Sequence, residues 1–165
     1  MKEKLTFIMS GADVKRYHTV PTIQIETVGH HSHGVACLTA MLDPNASREL
    51  LMAALMHDLS EHQTGDIPAP AKREYGIGEQ VNNLELRLMK EAGLPFPGLS
   101  KEDSRTLKLA DIAQGALFCA NEISMGNTRM NVVFDRYISY AEQLVLIGRE
   151  KEIFKTIKEI KNEQH

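Results

Sequence analysis

Apolar residues recur along most of this chain at the three- and four-residue spacing that places them on one side of an α-helix. Ile153, Ile157 and Ile160 form one such stripe, and most of the residues around them are Lys or Glu. Helices are predicted over residues 1–14, 30–42, 78–92, 100–125, 129–146 and 149–162, and over a further segment that starts at a cap on Asn45 or Ser47 and runs to about Glu61. The pattern therefore predicts an all-α fold, a compact helical bundle.

Three stretches interrupt the helical pattern. Thr22–Val28 alternates like a strand, but no second strand pattern exists to pair with it, so we expect an extended connector. Thr64–Pro70 contains one glycine and two prolines, which predicts a tight loop followed by a short turn over residues 72–75. Pro95 and Pro97 mark the third break, and Ser100 then opens the next helix with the spacing of a capping box.

Two details of the packing also follow from the pattern. In the first helix, Leu5, Ile8 and Met9 are predicted to form the inner face. Cys37 and Cys119 both lie in apolar helical stretches, which favours buried, reduced thiols and a cytoplasmic protein.

Composition and charge narrow the class of protein. The chain has 165 residues, 42% hydrophobic and 25% charged, which is ordinary for one globular domain, and we assign residues 1–165 to it. The net charge of -3 argues against a nucleic-acid partner. No apolar run is long enough to span a bilayer, so we expect no membrane partner.

Candidate chemistry begins at His57-Asp58, which follows an apolar run that starts at Leu50. Charged side chains are seldom buried unless they are paired or bound to a metal, and Asp111 also lies in an apolar stretch. With His31, these residues offer two imidazoles and two carboxylates from different helices. Such a set suits a divalent metal such as Zn, Mn, Co or Fe. Glu61, one helical turn after Asp58, is placed to orient or deprotonate a water on that metal.

This order of residues, His31, His57-Asp58 and Asp111, resembles the signature of the HD-domain metal-dependent phosphohydrolases. The run His57–Glu61 followed by Thr64–Lys72 is similar to the HD-x-x-E…TGD-[LI]-P-x-P-x-K sequence of the bacterial 5′-deoxynucleotidases. The resemblance covers about residues 14–125. The short chain is also similar in length to the phage dATP triphosphohydrolases, which are HD proteins.

The resemblance implies roles for further residues. Arg16 with Tyr17, Lys72 and Lys108 match family positions, so the three cations are expected to bind phosphate oxygens. Asp66 is expected to bind the deoxyribose hydroxyl; alternatively, Glu61 and Asp66 would hold a second ion such as Mg. Tyr17 would pack on the sugar or base, or else lie in the core.

The chain departs from the family pattern at three points. Tyr17 stands where the family has tryptophan, His30 stands where it has glutamate, and the segment between His31 and His57 is shorter. These departures concern the substrate pocket more than the metal site.

The resemblance predicts a deoxynucleotide as the small-molecule substrate. We expect a dATP triphosphohydrolase that forms deoxyadenosine and triphosphate, with a 5′-deoxynucleotidase as the alternative. A non-catalytic HD module that binds nucleotides for signalling, and a phosphodiesterase for cyclic nucleotides, are further hypotheses. The family also implies a homo-oligomer in the cytosol of a bacterium or a phage-infected host.

Overall fold

Helices joined by short polar segments make up most of the computed structural model, which describes residues 1–94 and 96–163. They are α1 (Lys2–Ala12), α2 (Val28–Leu42), α3 (Arg48–Met56), α4 (Glu61–Thr64), α5 (Ala69–Glu74), α6 (Gly78–Glu91), α7 (Lys101–Ser124), α8 (Asn131–Gln143) and α9 (Gly148–Asn162), with a 3-10 turn at Thr128–Met130. Within the described ranges, β-pairing is confined to one antiparallel bridge between Lys15 and Thr27. The all-α prediction is confirmed. Pro95 of the predicted third break lies outside the described residues.

Helix α7 is the centre of the bundle. Ser100 caps its N-terminus, and the Ser100 hydroxyl accepts a hydrogen bond from the Asp103 amide, as the capping pattern predicted. The helix then packs against α2, α3, α8 and α9. Its inner face carries small side chains such as Ala113 and Ala116, which let the neighbouring helices approach closely. Glycine is required at Gly115, because a side chain there would collide with the ring of Tyr137.

The predicted inner face of α1 is wrong. Leu5 and Met9 are 57% and 63% exposed, whereas Phe7 and Gly11 face inward. Phe7 packs with Leu59. A Cβ on Gly11 would lie 2.5 Å from the carbonyl oxygen of Leu59, so the helix docks through the position that has no side chain. Gly11 is therefore the point at which α1 contacts Leu59 in the fold.

The chain does not continue as one helix to Glu61, contrary to the prediction. The Ser47 hydroxyl caps α3 at 3.0 Å from the Leu50 amide, but α3 ends at Met56 and residues 57–60 form turns before α4. These turns bury Leu59 and Ser60. Neighbours on a continuous helix would diverge by about 100°. The turns instead let the 57–61 segment line one cleft.

Helix α5 begins inside the predicted loop Thr64–Pro70 and continues through most of the turn predicted over residues 72–75, so the loop prediction is wrong for its last two residues. Gly65 turns the backbone with φ +73°, and Pro68 then stands at the N-cap of the helix. Pro70 lies in the first turn, where a missing N–H costs no helical hydrogen bond. The prolines therefore start a helix here.

Residues 22–27 form the extended connector that the sequence predicts, and α2 starts at Val28 behind a cap by Thr27. The connector is held by Glu122, a fully buried carboxylate on α7. Its two oxygens accept hydrogen bonds from the amides of Ile23 and Gln24, each at 2.7 Å. This contact fixes the path of the chain into α2.

The two cysteines lie in different environments. Cys119 is buried on α7, as predicted, but Cys37 is exposed on the outer side of α2, so the prediction of two buried thiols is wrong. The apolar run around Cys37 includes positions that face solvent, and Sγ of Cys37 lies 3.8 Å from His33 there. In the part of the chain that the structure describes, no helix is long and apolar enough to cross a membrane.

Candidate metal centre

Three of the four side chains proposed as metal ligands, His31, His57 and Asp58, place one donor atom each within 4.8 Å of one another, and Asp111 adjoins this group through His31. Nε2 of His31 lies 3.2 Å from Nε2 of His57, 3.5 Å from Oδ2 of Asp58 and 3.4 Å from Oδ1 of Asp111. Nε2 of His57 is also 3.3 Å from Oδ2 of Asp58. The residues come from α2, from the turn after α3 and from α7. We call this set the metal cluster.

The spacing of these donor atoms fits a divalent cation. In a tetrahedral shell with bonds of about 2.0–2.2 Å, neighbouring donor atoms are about 3.3–3.6 Å apart. The three distances among His31, His57 and Asp58 run from 3.2 to 3.5 Å, and Asp111 lies 3.4 Å from His31. Two imidazole lone pairs that face each other at such a distance repel unless a cation or proton lies between them. Zn, Co and Mn suit this nitrogen and carboxylate set.

Both imidazoles direct the required nitrogen toward the cluster. Nδ1 of His57 donates to the carbonyl oxygen of Ala54 at 3.0 Å, and Nδ1 of His31 faces Oε1 of Gln114 at 2.5 Å. Each ring therefore carries its proton on Nδ1, which leaves the Nε2 lone pair free to bind a metal.

The electrostatics keep His57 and Asp111 deprotonated at neutral pH. Burial is the main cause that lowers the pKa of His57. Burial alone would raise the pKa of Asp111, but the nearby Lys108 and His31 outweigh it and hold that pKa well below the usual range. Deprotonated imidazole and carboxylate are the forms that bind metals.

Arg16 reaches the metal cluster directly. Its side chain is buried, and Nη1 lies 3.4 Å from Oδ2 of Asp58. On its other side, Nε lies 3.4 Å from Oε2 of Glu26. The guanidinium is thus held between two carboxylates at the edge of the cluster, with a fork geometry that suits phosphate oxygens.

The side chain of Tyr17 packs against the core, and its backbone amide contacts a residue of the cleft. Its ring stacks on Phe118 at 4.8 Å, and its hydroxyl lies 3.1 Å from that of Tyr137. Its backbone has φ +55°, and its amide donates to Asp66 at 3.3 Å. This left-handed turn therefore places the Tyr17 ring in the core and orients the Asp66 carboxylate.

Glu61 is a buried carboxyl with an oxygen that has no hydrogen-bond partner among the described residues. Burial, followed by the charges of Asp58 and Asp66, raises its pKa to about 9. A positive charge in the metal cluster would lower that pKa again. Glu61 is therefore a group whose proton responds to what the cluster binds.

A cleft of about 400 Å³ opens beside the metal cluster. It is lined by His57, Asp58 and Asp111, by the predicted catalytic and phosphate-binding residues Arg16, Glu61, Asp66, Lys72 and Lys108, and by Arg73, Glu85, Tyr137 and Tyr140 among others. A second cavity of about 410 Å³ adjoins it and shares Arg16, Asp66 and the tyrosines at 137 and 140. Tyr17 lines this second cavity. Together they offer the space that a small-molecule ligand needs.

Three cations form what we call the cationic rim of the cleft: Lys72, Arg73 and Lys108. Lys72 lies 3.4 Å from Glu85, and Lys108 lies 2.8 Å from Asp111. The guanidinium of Arg73 lies over the ring of Tyr140, 3.5 Å from its centre, and has no carboxylate within ion-pair distance in residues 1–94 and 96–163.

Sequence reasoning missed several residues that the fold brings to the site. Gln114 lies one helical turn after Asp111, so its place on the inner face of α7 was visible, but its contact with His31 was not. Glu26 lies in the connector and gave no signal. The other histidines stay outside the cluster: His30 is exposed, and His62 packs edge-on against Phe7.

Known proteins resemble this chain in sequence. A family model described as HD domain matches residues 12–96. A 5′-deoxynucleotidase of Photorhabdus temperata is 31% identical over 144 residues, which covers 72% of this chain and 73% of that protein. A 5′-deoxynucleotidase of Yersinia pestis (strain Pestoides F) is 32% identical over 139 residues, which covers 69% and 70%.

Solved structures share the fold. The cyanophage S-2L HD phosphohydrolase DatZ, bound to dA and one catalytic Zn2+ ion, matches with a TM-score of 0.69 at 20% identity over 93% of this chain and 96% of that one. The PH0347 protein of Pyrococcus horikoshii OT3 matches with a TM-score of 0.65 at 20% identity over 98% of both chains.

Proposed function

Because the chain belongs to the HD domain family and is a deoxynucleotide phosphohydrolase of that family, we propose that its substrate is dATP, which it would hydrolyse to deoxyadenosine and triphosphate. The observation that carries the choice of a triphosphate is the positive charge around the cleft. Arg16 and the cationic rim place four cations beside the metal cluster. A monophosphate needs fewer of them than a triphosphate with its larger negative charge.

Arg73 is the cation of the rim that is best placed to bind a triphosphate. Lys72 and Lys108 already contact carboxylates, whereas Arg73 rests on an aromatic ring and has no carboxylate within reach among the described residues. A guanidinium in that state keeps its donors available for phosphate oxygens. Arg73 is therefore suited to the β- or γ-phosphate of a bound triphosphate.

The reaction would join a water oxygen to the α-phosphorus and break the bond between that phosphorus and the 5′ oxygen. A divalent cation held by His31, His57, Asp58 and Asp111 would lower the pKa of the water and polarise the phosphoryl oxygen. Glu61 would accept the proton of the attacking water and return a proton to the 5′ oxygen of deoxyadenosine. Arg16 would bind the α-phosphate.

The nucleoside would occupy the second cavity. Asp66 lies between the two cavities and is oriented by the Tyr17 amide, which suits a hydrogen bond from the 3′ hydroxyl of deoxyribose. The cyanophage protein of the same fold was solved with dA, so adenine is the base to test first. As an alternative, Glu61 and Asp66 would hold a second ion such as Mg on the phosphates.

Product analysis tests the proposal. Purified protein would be incubated with dATP in the presence of Zn, Co or Mn, and triphosphate, diphosphate and phosphate would be separated by anion exchange. We expect deoxyadenosine and intact triphosphate in equal amounts. Stepwise release of phosphate, or no hydrolysis of dATP with any of these metals, would contradict a dATP triphosphohydrolase.

The second candidate is a 5′-deoxynucleotidase. It is favoured by the relatives in sequence, which carry that name at 31% and 32% identity. The same experiment with dAMP distinguishes the two, since release of phosphate from dAMP with a larger kcat/KM than for dATP would establish the nucleotidase. The catalytic candidates are less consistent with a silent signalling module, because such a module does not need the buried carboxyl of Glu61.

A further inference from the structure

We propose that Glu26 is a positioning residue that links the metal cluster to the phosphate-binding arginine. Through Gln114 it would fix the imidazole of His31, and through its own carboxylate it would hold Arg16. The part that concerns Arg16 and phosphate rests on the proposed function, whereas the part that concerns His31 needs only the metal cluster.

The first contact runs through Gln114. Oε1 of Glu26 accepts a hydrogen bond from Nε2 of Gln114 at 2.6 Å, and Oε1 of Gln114 lies 2.5 Å from Nδ1 of His31. All three side chains are buried, at 4%, 9% and 0% exposure. Water therefore does not compete for these hydrogen bonds, and each buried group depends on its partner.

The direction of this chain of hydrogen bonds starts at Glu26. An ionised carboxylate can only accept, so Gln114 must turn its NH2 group toward Glu26. The amide oxygen of Gln114 then faces His31, which must carry its proton on Nδ1. The lone pair of Nε2 is consequently left for the metal cluster. A residue that touches no metal ligand thus decides the tautomer of one of them.

In the second contact, both the backbone and the side chain of Glu26 hold Arg16. The backbone carbonyl of Glu26 accepts a hydrogen bond from the Arg16 amide at 3.0 Å. Its Oε2 faces Nε of Arg16 at 3.4 Å, an ion pair without good hydrogen-bond geometry, since both atoms lack a hydrogen-bond partner. The antiparallel bridge between Lys15 and Thr27 fixes the register of the two segments.

The two contacts close into one circuit. Arg16 reaches Asp58 at 3.4 Å, and Asp58 lies 3.5 Å from His31. The circuit therefore leaves the metal cluster at His31 and returns to it at Asp58. The fold leaves space for it at Gly34, where a Cβ would lie 2.8 Å from Cγ of Gln114.

A buried ion pair contributes little to stability on its own account, because desolvation of the charges offsets their attraction. The position of Glu26 between a metal ligand and a substrate cation gives it a role in the site. Variants that break one contact at a time distinguish this role from simple support of the fold.

Gln114→Met removes the contact with His31 but keeps the size of the side chain and leaves Glu26 beside Arg16. We expect the affinity for Zn, measured by competition with a chromogenic chelator, to fall about 10–100-fold. With the metal site saturated, the affinity for sodium triphosphate, measured by calorimetry, is expected to stay within about twofold, because Arg16 is still held.

Glu26→Gln is expected to weaken the binding of triphosphate and to leave the binding of Zn nearly unchanged. The new amide oxygen can still accept from Gln114, but the charge opposite Arg16 is lost. We expect Zn affinity within about threefold of the wild type and triphosphate affinity lowered by about tenfold. Glu26→Asp, which restores the charge, is expected to recover part of the triphosphate affinity. The matched charge control is Glu142→Gln on the surface of α8, which is expected to change neither affinity.

Wild-type protein provides a test that does not depend on a variant's folding. Long-range 15N–1H spectra of the metal-free protein report which nitrogen of His31 carries the proton. We expect the Nδ1–H tautomer. The Nε2–H tautomer, or Gln114→Met with unchanged Zn affinity, or Glu26→Gln with unchanged triphosphate affinity, would overturn the proposal. If the affinities change as expected and no deoxynucleotide is hydrolysed, the proposed function fails and the role of Glu26 stands.

Discussion

In the metal cluster, three short side chains from two parts of the chain lie within 3.5 Å of Nε2 of His31, and His31 is fully buried. In the cationic rim, three long side chains line the same cleft, and that of Lys108 is 58% exposed. Short buried side chains lose little freedom when they bind, so they can hold an ion in one geometry. Long exposed ones can adapt to different phosphates. Under the proposed function, the metal cluster would carry out the chemistry and the cationic rim would select the substrate.

The largest effect is expected from the metal cluster. His57→Ala removes a proposed ligand whose ring is oriented by the carbonyl oxygen of Ala54. We expect hydrolysis of deoxynucleotides to fall by at least about 10³-fold and bound metal, measured by plasma mass spectrometry, to fall below one ion per chain. The control is His33→Ala on the exposed side of α2, which should retain both. Equal losses in the two variants would refute the assignment.

Glu61→Gln separates proton transfer from metal binding, because it leaves the proposed metal ligands unchanged. The variant keeps the shape of the side chain but cannot take a proton from water. We expect kcat to fall by about 10²–10⁴-fold while metal content stays at the wild-type value. Loss of the metal together with activity would instead make Glu61 a ligand.

In metal-free protein, the same variant is expected to gain stability relative to the wild type as the pH rises. Burial and the nearby charges raise the pKa of Glu61 to about 9 in the fold, above the usual pKa of a glutamate. The contribution of Glu61 to the free energy of unfolding is therefore complete at a pH below that usual pKa and is lost as the pH rises toward 9. A glutamine side chain at this position does not titrate. The melting temperature of Glu61→Gln relative to wild type, measured in EDTA, should therefore be higher at pH 8 than at pH 5.5. A difference that does not change with pH would contradict the raised pKa.

The smallest effect is expected at the rim, and it depends on the substrate. Arg73→Ala is predicted to lower kcat/KM for dATP by about tenfold and that for dAMP by less than about twofold, since only the longer substrate reaches this residue. Steady-state kinetics with both substrates would measure this. Arg87→Ala, on the exposed face of α6, is the control. An equal loss for dATP and dAMP would place Arg73 at the α-phosphate.

Local pattern was enough to predict most of the helices, because apolar spacing reports which side of a helix is buried. It failed for α1, where the buried side is chosen by the close approach of Gly11 to Leu59. It also failed at the end of α3, because nothing in the apolar run Leu50–Met56 marks the turn at His57. Both failures arise from contacts between distant segments, which the spacing of apolar residues does not report.

The residues of the candidate site were likewise predictable where local pattern marks them and not where distant contacts place them. Of the residues proposed from the order His31, His57-Asp58 and Asp111, the first three lie together in the fold and Asp111 contacts His31. They could be proposed because side chains with metal-binding chemistry stand out in apolar helices. Glu26 and Gln114 are 88 positions apart, and neither has an unusual neighbourhood in the sequence. Their hydrogen bond depends on how the connector passes over α7, which no local pattern specifies.

The way Glu122 holds that connector has a consequence for how the sequence can change. The carboxylate accepts hydrogen bonds from backbone amides, so the side chains of Ile23 and Ile25 take no part in holding the connector. These side chains are 57% and 66% exposed. Substitutions at these two positions should be tolerated freely, with proline at position 23 as the exception because it has no amide hydrogen. A variable surface can thus lie directly beside a fixed backbone path, and the outside of the connector can diversify without disturbing the chain that leads to the site.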